Sequence, residues 1–157
     1  MDTFAPTVRS AILQVLLALA TAHKGDIIIE QADVKNAYLN AWMKDDETVF
    51  MDLPELYSDL RKLPKPVNDA SRNGNHIVPR LKRPFYGTKQ GAHHWYEKLK
   101  TTLVRLGFTV CSANSATFFK VEEEEFIVIA AATDDFTIIT NSRVLSTKKK
   151  LHHFARQ

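Results

Sequence analysis

The sequence is poor in cysteine and has no long apolar run, and each shortage excludes a class of protein. Cys111 is the only cysteine, so the chain can form no internal disulfide and no cysteine-rich metal site, and we expect a reducing compartment. No apolar run reaches the roughly 20 residues of a membrane-spanning helix. The first residues lack the basic and apolar regions of a secretory signal. We therefore expect an intracellular protein with no membrane partner.

The remaining composition is that of one ordinary globular domain. The 157 residues are 45% hydrophobic and 25% charged, which is typical of a chain with a single core. The net charge of +3 is compatible with a nucleic-acid partner but does not establish one. No internal repeat is present. We therefore predict one domain that covers residues 1–157.

Alternating helical and strand patterns along the chain predict an α+β fold. Apolar residues at helical spacing predict helices over 7–23 and 90–106. Short runs rich in Val, Ile and Phe predict strands over 26–34, 49–53, 77–81, 116–121, 126–132 and 136–140. Residues 58–76 contain few apolar residues and many breakers, which predicts a flexible loop.

Three acidic residues stand at the ends of these predicted strands. Asp134 and Asp135 separate two apolar runs, which predicts a β-hairpin turn, and Asp33 ends an earlier apolar run. Asp is common in turns for purely local reasons, so a structural role alone is one interpretation. The other interpretation is a cluster of like charges, which is unfavourable unless cations neutralise it. Carboxylates suit Mg²⁺, so this second interpretation predicts metal-assisted phosphoryl or nucleotidyl transfer.

Several segments resemble, in order and spacing, the core of a copia-type retrotransposon reverse transcriptase. They are Asp-Val-Lys-Asn-Ala-Tyr-Leu-Asn at 33–40, Phe-Tyr-Gly-Thr-Lys-Gln-Gly-Ala-His-His-Trp-Tyr at 85–96 and Ala-Thr-Asp-Asp at 132–135. The segments at 3–6 and 49–55 are similar to the same family. The resemblance covers most of the chain. It implies an antiparallel, palm-type sheet with helices packed on one face.

The resemblance also implies a role for individual residues. Asp33, Asp134 and Asp135 would be catalytic and would bind two Mg²⁺ or Mn²⁺ ions, with the backbone carbonyl of Val34 as a further ligand. Tyr38 would lie under the sugar of the incoming nucleotide and exclude a 2′-hydroxyl. Gln90 would contact the nucleotide, and template or primer would contact Lys89, Ala132 and Thr133. Without the family, Tyr38 would be interpreted as a core aromatic and Gln90 as the opening of a helix.

The activity that the resemblance implies is RNA-directed DNA polymerisation. The expected partners are an RNA or DNA template-primer, deoxynucleoside triphosphates and other parts of a retrotransposon polyprotein. The expected locations are the cytoplasm, virus-like particles or the nucleus.

Some features depart from the family pattern. Ala132 stands where the family usually has Tyr, and Gly-Ala-His-His at 91–94 replaces a more basic sequence. We also expect the fingers segment and the thumb to be absent.

The alternative prediction is therefore an inactive, transposon-derived remnant that acts at most as a nucleic-acid-binding or structural module. A metal-dependent nuclease ranks last because no RNase H motif is present.

Overall fold

A computed structural model describes residues 3–23, 26–52 and 78–141. The chain divides into two compact units, one formed by 1–41 together with 84–157 and the other by 42–83. The predicted loop over 58–76 lies outside the described residues.

The larger unit contains an antiparallel sheet of five strands. The strand order is β1-β5-β4-β3-β2, and every neighbouring pair is antiparallel. The strands are β1 (Ile28–Asp33), β2 (Thr109–Val110), β3 (Thr117–Glu122), β4 (Glu125–Ala132) and β5 (Asp135–Thr140). The helices are α1 (Ser10–Ala22), the 3₁₀ helix Ala37–Asn40 and α2 (Gly91–Arg105). The predicted α+β class and the antiparallel sheet are confirmed.

Helix α2 covers one face of this sheet. Trp95, Leu99 and Leu103 recur at every fourth position and so form one buried stripe. They share a core cluster with side chains from the three central strands, which are Phe118, Ile127, Ile129, Ala131, Phe136 and Ile138. Gly107 adopts a φ of 87° just after the helix, a left-handed conformation that glycine accepts without strain and that commonly ends helices.

Helix α1 makes different contacts. The Val8 N–H just before it donates to the Ala131 carbonyl at 2.8 Å, and the ring of His23 just after it lies 6.0 Å from that of Phe126. Phe126 alternates with the buried Ile127, so its side chain belongs to the sheet face opposite α2. The expected packing of helices on one face therefore applies to α2 and not to the end of α1. No helix among the described residues has the length and apolar character needed to cross a bilayer.

The smaller unit contains much less strand than the sequence predicted. The expected strands over 49–53 and 77–81 are reduced, in their described parts, to a single antiparallel bridge between Phe50 and Arg80. Pro79 has no N–H to donate, which interrupts a ladder. Its carbonyl accepts from the Met51 N–H at 3.1 Å, and Leu81 N–H donates to the Val49 carbonyl at 2.8 Å.

Two hairpin turns lie at opposite ends of β4. Glu123 and Glu124 form the turn between β3 and β4 and are flanked by the paired acids Glu122 and Glu125. Thr133 and Asp134 form the turn between β4 and β5. Strands rise about 3.3 Å per residue, so the eight residues of β4 separate the two turns by roughly 23 Å. The acidic residues at the two turns therefore lie at separate places on the sheet.

Candidate functional site

The three predicted acidic residues lie at two adjacent strand ends. Asp33 is the last residue of β1 and Asp135 is the first of β5, and the two are direct partners in the antiparallel register. Asp134 occupies the two-residue turn that joins Ala132 to its own partner, Asp135. The fold thus brings together carboxylates from distant parts of the chain.

The local electrostatics are unfavourable for the protein alone. Directly opposed residues of an antiparallel pair place their side chains on the same face, where like charges destabilise the sheet. Asp33 and Asp135 are both exposed on that face, and Asp134 is half-buried. None of the described Lys, Arg or His side chains forms an ion pair with any of the three. Within the part of the chain that the structure describes, no basic side chain therefore balances the negative charge of these acids.

Both central carbonyls of the turn are held by donors from other elements. The Val34 N–H, just beyond β1, donates to the Asp134 carbonyl at 2.9 Å. The indole N–H of Trp95 donates to the Thr133 carbonyl at 2.8 Å. Trp95 is only 2% exposed and belongs to the core. The backbone of the turn is therefore anchored both to β1 and to α2.

The turn also contains a strained residue. Thr133 has a φ of 59°, and a β-branched residue in the left-handed region is a genuine outlier. Asn36 has a φ of 55°, but Asn tolerates this conformation better. The third described non-glycine residue with positive φ is Glu123, in the other hairpin turn. Strain of this kind persists only where the surrounding structure fixes the backbone, and it is concentrated at functional sites.

Tyr86 contacts the Asp134 carboxylate, a role that no sequence pattern predicted. Its hydroxyl donates to Asp134 Oδ2 at 3.2 Å, and its ring stacks on that of Tyr38 with centroids 4.6 Å apart. Burial raises the pKa of both phenols, and the negative charge of Asp134 raises each pKa further. Both hydroxyls therefore remain protonated at neutral pH. Tyr86 lies within the recognised segment 85–96, but no local pattern indicates a partner so far away in sequence.

The other predicted site residues differ in their exposure to solvent. Tyr38 is half-buried in the 3₁₀ helix, close enough to Asp134 for its pKa to respond to that charge. Gln90 immediately precedes α2 and is 5% exposed. Lys89 is exposed, as is Ala132 at the end of β4.

Gly91 permits the close packing of these segments. A Cβ at this position would lie 2.7 Å from Thr88 Oγ1, 3.2 Å from the Phe85 carbonyl oxygen and 3.3 Å from Tyr38 Cδ2. Glycine therefore allows the turn that carries Tyr86, together with Tyr38, to approach the first turn of α2.

The donor atoms at the site have the chemistry of a hard divalent cation site. Carboxylate and carbonyl oxygens are the ligands that Mg²⁺ prefers, and an added cation would relieve the repulsion between Asp33 and Asp135. In residues 3–23, 26–52 and 78–141, however, no three Asp, Glu, His or Cys side chains converge on a common metal position. The backbone brings the three acidic residues close together, whereas their side chains do not converge on one point.

Comparisons with known proteins identify similar sequences. The family model for reverse transcriptase (RNA-dependent DNA polymerase) matches residues 1–155. The chain is 28% identical over 150 residues to the retrovirus-related Pol polyprotein from transposon RE2 of Arabidopsis thaliana, a match that covers 96% of this chain and 9% of the relative. It is 26% identical over 141 residues to the corresponding RE1 polyprotein of the same plant, covering 90% of the chain and 8% of the relative.

A third relative is the retrovirus-related Pol polyprotein from transposon TNT 1-94 of Nicotiana tabacum. It is 27% identical over 119 residues, which cover 76% of this chain and 8% of the relative. The chain thus spans less than a tenth of the length of the curated relatives it matches. No solved structure matches.

The cross-strand pair of acids generates a prediction about stability. Asp33→Asn removes one of two directly opposed like charges, so the free energy of unfolding should rise by about 0.2–1 kcal/mol at low salt. Urea unfolding measures this change. The control is Asp26→Asn, at an exposed acid that precedes β1, which should change stability by less than about 0.5 kcal/mol. A clear loss of stability in Asp33→Asn would contradict this account of the site.

The strained turn generates a second prediction. Thr133→Asn replaces a β-branched residue with one that tolerates the left-handed conformation, so it should stabilise the protein by about 1 kcal/mol. The matched control is Thr137→Asn in the middle of β5, where the backbone is extended and Asn should destabilise by up to about 1 kcal/mol. Thermal unfolding of both variants measures the difference. Equal destabilisation by the two changes would show that Thr133 stores no strain.

Proposed function

Because this chain belongs to the reverse transcriptase (RNA-dependent DNA polymerase) family, we propose that it is the palm part of the RNA-directed DNA polymerase of a copia-type retrotransposon. The observation that carries the proposal is the pairing of Asp33 with Asp135 beside the Asp134 turn. Its substrates are deoxynucleoside triphosphates and an RNA or DNA template-primer. The relatives are Pol polyproteins, so we also propose other parts of such a polyprotein as partners, inside the cell.

In this proposal the carboxylates hold two divalent cations, Mg²⁺ or Mn²⁺. Asp33 and Asp134 are the main ligands, the Val34 carbonyl is a further ligand, and Asp135 supports them. When bound, such ions activate the primer 3′-hydroxyl and neutralise the triphosphate and the leaving pyrophosphate. The excess of negative charge and the hard oxygen donors support this assignment. The chain itself contributes alignment, through the donors that Val34 and Trp95 supply to the turn.

The residues around the turn then bind the nucleotide and the nucleic acid. The ring of Tyr38 stacks on that of Tyr86, whose hydroxyl donates to Asp134, and we propose that Tyr38 supports the sugar and excludes a 2′-hydroxyl. Gln90 is buried, and its side chain makes no hydrogen bond to another described residue. Buried amides are normally paired, which supports a contact between Gln90 and the nucleotide.

The exposed residues of the site are proposed to contact the nucleic acid. Lys89 offers an exposed cation to template phosphates. Ala132 and Thr133 adjoin the acidic cluster, and this position favours contact with the primer end.

A second candidate function is a catalytically inactive remnant that binds nucleic acid or serves a structural role. The observation that favours it is the lack of side-chain convergence on a metal position among the described residues. The Ala132 exposed at the end of β4 has no ring to contact a primer, which also favours this candidate. The two functions differ in one measurable property, since a remnant need not bind Mg²⁺ or Mn²⁺ at Asp33 and Asp134.

Primer extension tests the polymerase proposal. The chain should extend a DNA primer on an RNA template when Mg²⁺ or Mn²⁺ is supplied, and Asp134→Asn should reduce the rate by at least about 100-fold, because misalignment by about 1 Å already costs that much. Glu124→Gln, in the acidic turn at the other end of β4, should extend like the parent. A well-folded parent that neither extends primers nor binds Mn²⁺ would contradict the proposal and favour the remnant.

A further inference from the structure

We infer that Tyr86 is a positioning residue for the Asp134 carboxylate, a role that rests on the function proposed above. Its hydroxyl would hold the carboxylate in the orientation that a divalent cation requires, and its ring would fix where that hydroxyl lies. Tyr86 itself would contact neither the cation nor the reacting atoms.

The hydroxyl of Tyr86 has a partner that lies far away in sequence. It donates to Asp134 Oδ2 at 3.2 Å, across 48 positions of the chain. The donor therefore comes from a segment outside the hairpin turn, and its proton points at the carboxylate.

The ring of Tyr86 is restrained as well. It stacks on Tyr38 with an interplanar angle of 21°, and the edge of Phe85 lies against it with centroids 6.4 Å apart. The absence of a Cβ at Gly91 leaves room for the Tyr38 ring and for the backbone next to Tyr86, since Tyr38 Cδ2 and the Phe85 carbonyl oxygen lie 3.3 Å and 3.2 Å from where that atom would be. The hydroxyl is thus presented by a ring that two aromatic neighbours contact, with Tyr86 as a whole 44% exposed.

Tyr86 restrains the side chain of Asp134, which the hydrogen bonds to the turn backbone do not do. The hydrogen bonds from Val34 and Trp95 fix the backbone of the turn, but they leave the carboxylate free to rotate. Repulsion from Asp33 and Asp135 would turn it outward toward solvent. A hydrogen bond to Oδ2 opposes that rotation and leaves Oδ1 available to a cation. Outer partners that orient a ligand in this way typically change metal affinity by 10–100-fold when they are removed.

A packing role and a positioning role require different parts of Tyr86. Stacking on Tyr38 requires only the ring, which Phe also provides. Positioning of Asp134 requires the hydroxyl. Tyr86→Phe and Tyr86→Leu therefore separate the two roles, because the first removes only the hydroxyl and the second removes the ring as well.

The experiment is a titration of each variant with Mn²⁺, in which free Mn²⁺ is measured by electron paramagnetic resonance. Tyr86→Phe should bind about 10–100-fold more weakly than the parent, with an unchanged unfolding midpoint. Tyr86→Leu should lose at least as much affinity. The matched control is Tyr96→Phe, which removes a hydroxyl that donates to the Ser115 carbonyl at 3.2 Å rather than to a carboxylate. Its Mn²⁺ affinity should equal that of the parent.

The outcomes distinguish failure of this inference from failure of the proposed function. If the parent binds Mn²⁺, Asp134→Asn does not, and Tyr86→Phe binds as tightly as Tyr96→Phe, the metal site stands and the role of Tyr86 is overturned. A loss of affinity confined to Tyr86→Leu also overturns it, because the ring alone would then matter. If the parent does not bind Mn²⁺, or Asp134→Asn binds equally well, the metal site and the role of Tyr86 are both overturned.

Discussion

The antiparallel pairing of β1 with β5 is the constraint on which the candidate site depends. The register runs from Ile28 opposite Thr140 to Asp33 opposite Asp135, and the Val34 N–H extends the contact to the turn. A slip of one residue would move Asp33 to the other face of the sheet. Burial of Phe136 and Ile138 against α2 opposes such a slip. The apolar core therefore determines where the charged residues meet.

This site contains several locally unfavourable features in a small region. Two carboxylates face each other across adjacent strands, and Thr133 adopts a left-handed backbone beside them. The indole of Trp95 and the N–H of Val34 offset part of this cost by holding the turn. Natural sequences violate local preferences mainly at functional or strained sites. Repulsion between the acids at the other end of β4 is weaker, because Lys120 forms an ion pair with Glu122 there.

The local elements were largely predictable, and the contacts between them were not. The spacing of Trp95, Leu99 and Leu103 predicts α2, and the apolar runs that flank Asp134 and Asp135 predict the hairpin of β4 and β5. The two-residue strand β2 carries too short a pattern to detect. The bonds from Tyr86 to Asp134 and from Trp95 to Thr133 join residues 48 and 38 positions apart, and no local periodicity indicates them. The positions of the acids at strand ends left their grouping as one of two interpretations, and the family resemblance favoured it, while the supporting residues came from the fold.

The most direct test of the central claim is Mn²⁺-induced broadening of backbone amide signals in the NMR spectrum of the folded chain. If the β1 end and the β4–β5 turn form a divalent cation site, the signals of Asp33, Val34, Asp134 and Asp135 should broaden first. The four acids Glu122–Glu125 at the turn between β3 and β4 are an internal control, since this segment is strongly acidic but roughly 23 Å away along β4. Its signals should persist at the same Mn²⁺ concentration. Earlier broadening at the glutamate turn, or equal broadening at both places, would contradict the account.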